Sequence, residues 1–318
     1  MSQKNPLIDD ISGAAPPTFQ HKALKIHERI TRRWRDEGVA GLLRAAARRA
    51  RGGHLPQFKS HVDALAGKTG IEIGGPSEAM FGKGQLLPIY PIAAQIDNCN
   101  YSASTIWEGS VRKGKTFKFD PRKEPGHQFV CEATDIRAAV SRTYDFLLSS
   151  HTIEHLANPL GALEEWQRVL TPDATLILIV PHRQGTFDHR RPVTTLAHLI
   201  DDYNRKTGED DMTHYDEIVS LHDRSMDIYA GNADYFRKRS IDNFHNRCFH
   251  HHVFDTRSFI AMLDHAGLQL QLVKPERPYH IIVAASMLLP GLKPDNRRFL
   301  ARDAAFLRRS PFLSDRHG

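Results

Sequence analysis

Tyr144-Asp-Phe-Leu-Leu-Ser-Ser-His-Thr-Ile-Glu-His-Leu-Ala-Asn-Pro-Leu160 is the stretch that decides the fold. Its first part, Tyr144–Ser150, is short and mostly apolar, as a strand buried in a parallel sheet must be. Asn158 and Pro159 then supply a helix cap and a first-turn proline. Leu160, Leu163, Trp166, Val169 and Leu170 recur at helical spacing, with Glu164, Glu165, Gln167 and Arg168 toward solvent. Thr171-Pro-Asp-Ala174 breaks that helix. Leu176-Ile-Leu-Ile-Val180 is a second buried-strand run, closed by Pro181. Strand, loop, helix, turn and strand make a right-handed βαβ crossover, so the chain is of the α/β class.

Between that strand and helix lies His151-Thr-Ile-Glu-His155, which two chemistries would claim. As a bare pattern, H-x-x-E-H is the zinc signature of inverted zinc peptidases. That reading needs both histidines on one helical face, aimed at the same ion. A helix starting near His151 soon meets Pro159, which disfavours helical geometry at Asn158 and removes a backbone donor. A zinc hydrolase built on His151, Glu154 and His155 is therefore the alternative reading, and a loop at a strand end is the preferred one.

Upstream, Gly70-Ile-Glu-Ile-Gly-Gly-Pro-Ser77 reads as a short strand running into a glycine turn. Glycines there allow positive φ and close approach of a ligand to the backbone. Ile92–Ile96 reads as a second strand with Asp97 at its tip, placed to accept hydrogen bonds from a ribose diol. Gln128–Cys131 reads as a third strand, followed by Asp135.

On these residues the chain resembles the class I S-adenosylmethionine-dependent methyltransferases. The resemblance runs from about Gly70 to Val180, with a final helix and strand pair between Thr256 and Ser286. It implies a Rossmann-like, seven-stranded, mostly parallel sheet with helices on both faces, and S-adenosylmethionine as cofactor. It places Glu72, Gly74, Gly75 and Ser77 near the methionine part of that cofactor. Asp97 falls at the ribose, Asp135 near the adenine, and Ser150 in the loop facing the transferred methyl group. Pro76 departs from the family pattern where a further glycine is usual, which leaves Ser77 and nearby N–H groups to hold the cofactor's carboxylate. Asp173-Ala174 departs from the usual glycine pair before strand five. A catalytically silent module that kept the fold is a third reading, suggested by Pro76.

Methyl transfer from a sulfonium is an in-line displacement, so a nucleophile must be aimed at the methyl carbon from the side opposite sulfur. A hydroxyl attacks better as it loses its proton, and an imidazole accepts protons near neutral pH. His151 is thus the expected base, with Glu154 and His155 as its orienting group. Pro181-His-Arg-Gln-Gly-Thr-Phe-Asp-His-Arg-Arg-Pro192 leaves the end of strand five, where open α/β sheets bind ligands. The segment 184–252 is too long and polar for a plain connection and reads as an inserted substrate cap. His182, Arg183, Asp188, His250 and His252 are its expected acceptor contacts. Alternation along an extended segment sets His250 and His252 on one side and His251 on the other. With His151, that pair would also suit a metal, but no metal ligand set is assigned. Thr256–Ala266 reads as a helix capped by Asp255 or Thr256 and stopped by Gly267. By family analogy, the acceptor is a small polar molecule or glycan, with O-methylation of a sugar in glycan biosynthesis as the expected reaction.

The 318 residues are 40% hydrophobic, enough for one large domain with additions. We expect a basic helical extension over 1–60, a methyltransferase domain over 61–286 and a basic tail over 287–318. Cys99, Cys131 and Cys248 are too few and too scattered for a disulfide framework or a cysteine zinc site. The start lacks a signal peptide's apolar core, and no run approaches the about 18 apolar residues of a membrane span, so a cytoplasmic location is expected. The net charge of +6 concentrates between Lys22 and Arg51, where an amphipathic pattern suits either packing on the core or contact with an anionic membrane. No aromatic stacking platform accompanies it, so no nucleic-acid partner is expected.

Overall fold

The computed structural model describes residues 54–82 and 85–317. The basic segment from Lys22 to Arg51, and with it the expected membrane contact, lies outside the described residues.

Ten strands occur among them: β1 (Thr69–Ile73), β2 (Gln95–Asn100), β3 (Ser104–Thr105), β4 (Gly109–Ser110), β5 (Gly114–Phe117), β6 (Gly126–Val130), β7 (Tyr144–Ser150), β8 (Leu170–Pro181), β9 (Gln269–Glu276) and β10 (His280–Ser286). Eight form one sheet in the order β5-β6-β2-β1-β7-β8-β10-β9. β6, β2, β1, β7 and β8 pair in parallel, while β10 runs antiparallel to both its neighbours. The order reverses at β1, between β2 and β7, which is where ligands lie against open α/β sheets. The expected count of seven strands is corrected to eight. Gly114–Phe117 adds an antiparallel edge to β6 with a register shift. Its four residues, Gly-Lys-Thr-Phe, are too few to carry a strand periodicity, which hid it from the sequence.

The decisive stretch folds as read. β7 is buried almost throughout. Helix α2 (Pro159–Arg168; α1 is Lys59–Asp63) is capped by Asn158, whose side chain accepts from Gly161 N at 2.9 Å. Leu160, Leu163 and Trp166 pack from α2 into the core on one face of the sheet, with Phe259 and Leu263 of a later helix. A second apolar cluster covers the opposite face, with Phe58, Tyr90, Phe119 and Ile282. Burying such side chains contributes roughly 1.5–3 kcal/mol each, which is what holds the strands' ends in place.

The insertion after β8 forms α3 (Leu196–Arg205), α4 (Tyr215–Leu221), α5 (Ala233–Ile241) and α6 (Asn243–Asn246). α7 (Thr256–His265) returns the chain to the sheet, with a capping box at Asp255 and Gly267 at φ +79° beyond its end. Residues 297–317 fold back as three short helices. Phe299, Leu307 and Phe312 are buried there, while Arg297 and Arg308 face solvent. No helix among the described residues is long and apolar enough to cross a membrane.

Candidate active site

The carboxyl end of β1 turns at Gly74, whose φ of +78° suits glycine. A Cβ there would lie 2.3 Å from Thr152 Oγ1 in the loop after β7. At Gly75, a Cβ would meet Glu72 Oε2 at 2.3 Å. The two glycines therefore let the β1 and β7 loops close on each other while keeping the turn's backbone bare. Asn98 fixes the turn. Its Oδ1 accepts from Gly75 N at 2.9 Å, and its Nδ2 donates to Gly75 O at 3.0 Å.

Glu72, Asn98 and Gln128 stand opposite one another on β1, β2 and β6. All three are buried, and Asn98 Nδ2 also donates to Gln128 Oε1 at 2.9 Å. Gln128 Nε2 in turn donates to Asn100 Oδ1, at 3.2 Å. Tyr90 Oη donates to Glu72 Oε2 and accepts from Ser77 N at 2.8 Å. Burial pushes the Glu72 carboxyl up to about 7, against the hydrogen bonds from Ser77 and Tyr90 that favour its charge.

Asp97 is not at the strand tip. β2 begins at Gln95 and runs on to Asn100, because Ile89, Tyr90 and Ala93 pack beneath the sheet as a buried loop. Asp97 sits inside the strand, accepting from Tyr144 Oη at 2.8 Å and His127 N at 2.8 Å, with Arg142 at 3.5 Å. Its carboxylate is engaged within the sheet, and Asn100 holds the place expected of it. Asp135 is exposed at the start of the turn Ile136–Ala138, after β6. Ser150 ends β7, half-buried.

The H-x-x-E-H segment is not a helix bearing two ligands. His151 has φ +55°, in the left-handed region, and Ile153–His155 is a single 3-10 turn. The two rings part company. His151 places Nδ1 3.5 Å from Glu154 Oε1 and Nε2 3.0 Å from His280 Nδ1, with Tyr279 against its edge. His155 instead donates Nδ1–H to Phe249 O at 2.6 Å and lies between Trp107 and His250. Burial lowers its pKa to about 4, so its ring is neutral. For Glu154, burial works to raise the pKa, but the His151 hydrogen bond and the nearby imidazoles outweigh it, so the carboxylate is charged.

The expected acceptor contacts divide. His250 reaches the His155 ring and sets Nδ1 2.5 Å from Asp188 Oδ2. Burial disfavours its imidazolium, yet Asp188 outweighs that and raises its pKa. Burial likewise opposes charge on Asp188, but His250 and Arg191 hold its carboxyl far below the usual range. His252 is not beside His250. A bend at His251 breaks the expected alternation, and His252 turns to Ala157 O, His198 and His214. His182 is corrected outright. It is fully buried, stacked on Phe312 at 3.9 Å, and both ring nitrogens are engaged, with Asp315 and Gln184 N. Its seat is the returning C-terminal segment, which strand-end position alone could not reveal. Arg183 donates to Arg191 O at 2.9 Å and braces the insertion.

Sequence reasoning missed Asn98, Asn100, Gln128 and His280. The alternation Asn98-Cys-Asn100 was the available signal for the first two, since two amides on one face of a buried strand need partners.

A cationic sulfonium cofactor fits this end of the sheet. Glu72 Oε1, Ser149 Oγ and Glu154 Oε2 are buried there without a hydrogen-bond partner. All belong to β1, β7 or the loop that follows β7, beside the bare glycine turn.

The methyltransferase-domain family matches residues 65–273. No curated protein matches the chain. Among solved structures, similarity extends to an S-adenosylmethionine-dependent methyltransferase from Aquifex aeolicus, at 14% identity over 73% of this chain and 88% of that one, TM-score 0.39. A 1,6-didemethyltoxoflavin N1-methyltransferase from Burkholderia thailandensis is similar at 10% identity over 86% and 93%, TM-score 0.41. An N-methyltransferase from Bradyrhizobium japonicum is similar at 10% identity over 79% and 96%, TM-score 0.39. With most of its length inside the family match, the chain belongs to the methyltransferase-domain family, as a class I enzyme that uses S-adenosylmethionine.

Proposed function

We propose that this methyltransferase transfers the methyl group of S-adenosylmethionine to a hydroxyl of a small polar acceptor, a sugar or glycan precursor, with His151 as the base. The supporting observation is the pose of His151: a left-handed residue at the end of β7, Nδ1 toward a charged Glu154 and Nε2 toward His280. Glu154 accepts Nδ1–H and so leaves the Nε2 lone pair as the proton acceptor. In the resting pose that lone pair takes the Nδ1–H of His280, 3.0 Å away, so an acceptor hydroxyl must displace His280 to reach Nε2, where it loses its proton to His151 as it attacks. The bound cofactor supplies an activated methyl on a positive sulfur. The bare backbone of Gly74 and Gly75 would approach its amino-acid end, with Glu72 and Ser77 below. Asn100 would take the ribose, and Ser150 and Asp135 would flank the methyl and adenine ends. The insertion, with Asp188 and His250 at its inner face, would close over the acceptor.

The test is methyl transfer to a panel of nucleotide sugars and glycan fragments, with S-adenosylhomocysteine binding measured by calorimetry. His151→Asn should bind S-adenosylhomocysteine like wild type and lose about 10²–10⁴ in kcat. Asn100→Ala should weaken cofactor binding. An unchanged kcat in His151→Asn removes the base assignment, and methylated nitrogen in the product removes the hydroxyl.

A further inference from the structure

We propose that His198, Asp202, His214 and His252 bind one zinc ion within the insertion, and that His252 carries its bracing to the loop after β7. His198 and Asp202 are one helical turn apart on α3 and so share a face. His214 precedes α4, and His252 follows the bend at His251. His198, His214 and His252 each bring a ring nitrogen within 4.8 Å of the other two. His198 Nε2 lies 3.1 Å from His214 Nε2 and 3.1 Å from Asp202 Oδ2. Ligands about 2.0–2.1 Å from a tetrahedral zinc stand about 3.3–3.4 Å from one another, so these spacings need little adjustment. The three ring centroids are 5.0, 5.7 and 6.0 Å apart, each pair edge to face, as rings arranged around one point would be.

The proton accounting points the same way. His252 Nε2 lies 3.2 Å from the Ala157 carbonyl, which can only accept, so Nε2 carries the proton and Nδ1 holds a lone pair. That Nδ1 is buried and has no hydrogen-bond partner, and Asp202 Oδ2, although 3.1 Å from His198 Nε2, makes no hydrogen bond either. The facing Nε2 atoms of His198 and His214 share at most one proton. Leaving the His252 Nδ1 and Asp202 Oδ2 lone pairs buried without donors is costly, and a cation would satisfy them together with those of the half-exposed His198 and His214. The ligands also have outer partners of the kind that orient metal sites. Ala157 O holds His252, and Thr207 Oγ1 donates to Asp202 Oδ1 at 2.9 Å. Three nitrogens and one carboxylate oxygen fill a tetrahedral set and leave no open position, which is the arrangement of a structural and not a catalytic zinc, here built without cysteine. Its consequence lies at the active site, because His252 N donates to Glu154 O at 3.2 Å. The ion would brace the turn carrying Glu154 from the insertion side.

A second group, Glu154, His155 and His250, also gathers three donor side chains within 4.8 Å and serves as the control. The full chain, made without a polyhistidine tag and stripped with a chelator, is titrated with Zn²⁺ by calorimetry and with Co²⁺ by visible absorption. One equivalent of each is expected, with the intense visible bands of tetrahedral Co²⁺. His214→Ala should abolish both signals while near-ultraviolet circular dichroism stays native, and His250→Ala should keep them. Should His214→Ala fail to fold, Asp202→Asn takes its place, and Thr207→Val should weaken zinc about tenfold. Absence of stoichiometric binding, or binding lost in His250→Ala and retained in His214→Ala, overturns the proposal. S-adenosylhomocysteine binding, followed in parallel, reports on the methyl-donor site independently of the metal.

Discussion

Glu72 shows how one residue can serve the site against its own preference for charge. Burial raises its pKa from 4.5 to about 7, with Tyr90 and Ser77 opposing the rise. A folded value above the unfolded one means the native state holds the extra proton between those limits. Its contribution is fully present below pH 4.5 and is lost as pH rises through about 7. The ionised form above that range costs on the order of 3 kcal/mol relative to the acid. Glu72→Gln should therefore become more stable relative to wild type on the alkaline side of this window and lose that advantage on the acid side. Urea denaturation on both sides measures it, and parallel stability–pH profiles would contradict it. The sequence carried the type and place of this acid, since Glu72 in a strand before a glycine turn is legible. It did not carry the shift, which comes from full burial and is tempered by Tyr90 arriving from a loop that has no periodic signal.

At the scale of elements, the βαβ unit from Tyr144 to Val180 was legible because burial and cap agreed, although Leu170, read as helix, and Thr171–Ala174, read as a break, both lie within β8, where the pairing with β7 shifts register. β2 was not. Ile92–Ile96 looks like a strand, but Ile92 and Ala93 belong to the packed loop, and the strand's own residues, Gln95-Ile-Asp-Asn-Cys-Asn100, are mostly polar. Polar side chains enter a buried strand here because they bond one another and the glycine turn, and a hydropathy pattern cannot show that. The same limit applies to His250-His-His252, where one bend sends neighbouring imidazoles to different clusters. The turn after β1 gives the prediction proper to this scale. In Gly74→Ala, the methyl group would fall 2.3 Å from Thr152 Oγ1, at a φ of +78° that alanine avoids. The β1 and β7 loops must then separate. Expected are a loss of about 1–3 kcal/mol and a severe loss of S-adenosylhomocysteine affinity. Wild-type affinity in the calorimeter would mean that the turn does not approach the cofactor.

The whole molecule is a sheet with its ligand end covered by the insertion and its β8 exit anchored by the C-terminal helices, through Asp315 on His182 and Thr256. The sequence marked the insertion by its length and polarity, but what holds it down is a set of buried charges from distant positions. Arg191 is the hub. It is almost wholly buried, donating to Asp188 at 3.0 Å, to Glu217 at 2.7 Å and to the His250 carbonyl at 2.8 Å. These bonds join the β8 exit to α4 and to the histidine segment. Arg191→Met keeps bulk and removes the charge, leaving Asp188 with His250 as its one ionic partner among the described residues. Breaking one side of a buried ion pair costs about 3–5 kcal/mol. The loss should be local, because the apolar clusters on both sheet faces do not include Arg191. Hydrogen exchange should show amides of α3 through α6 opening at lower free energy while those of β1, β7 and β8 keep their protection. Acceptor KM should rise more than S-adenosylhomocysteine binding weakens if, as proposed, the insertion closes over the acceptor, since the glycine turn belongs to the sheet. Equal loss of protection across sheet and insertion would instead make Arg191 part of one cooperative core and the insertion no separate lid.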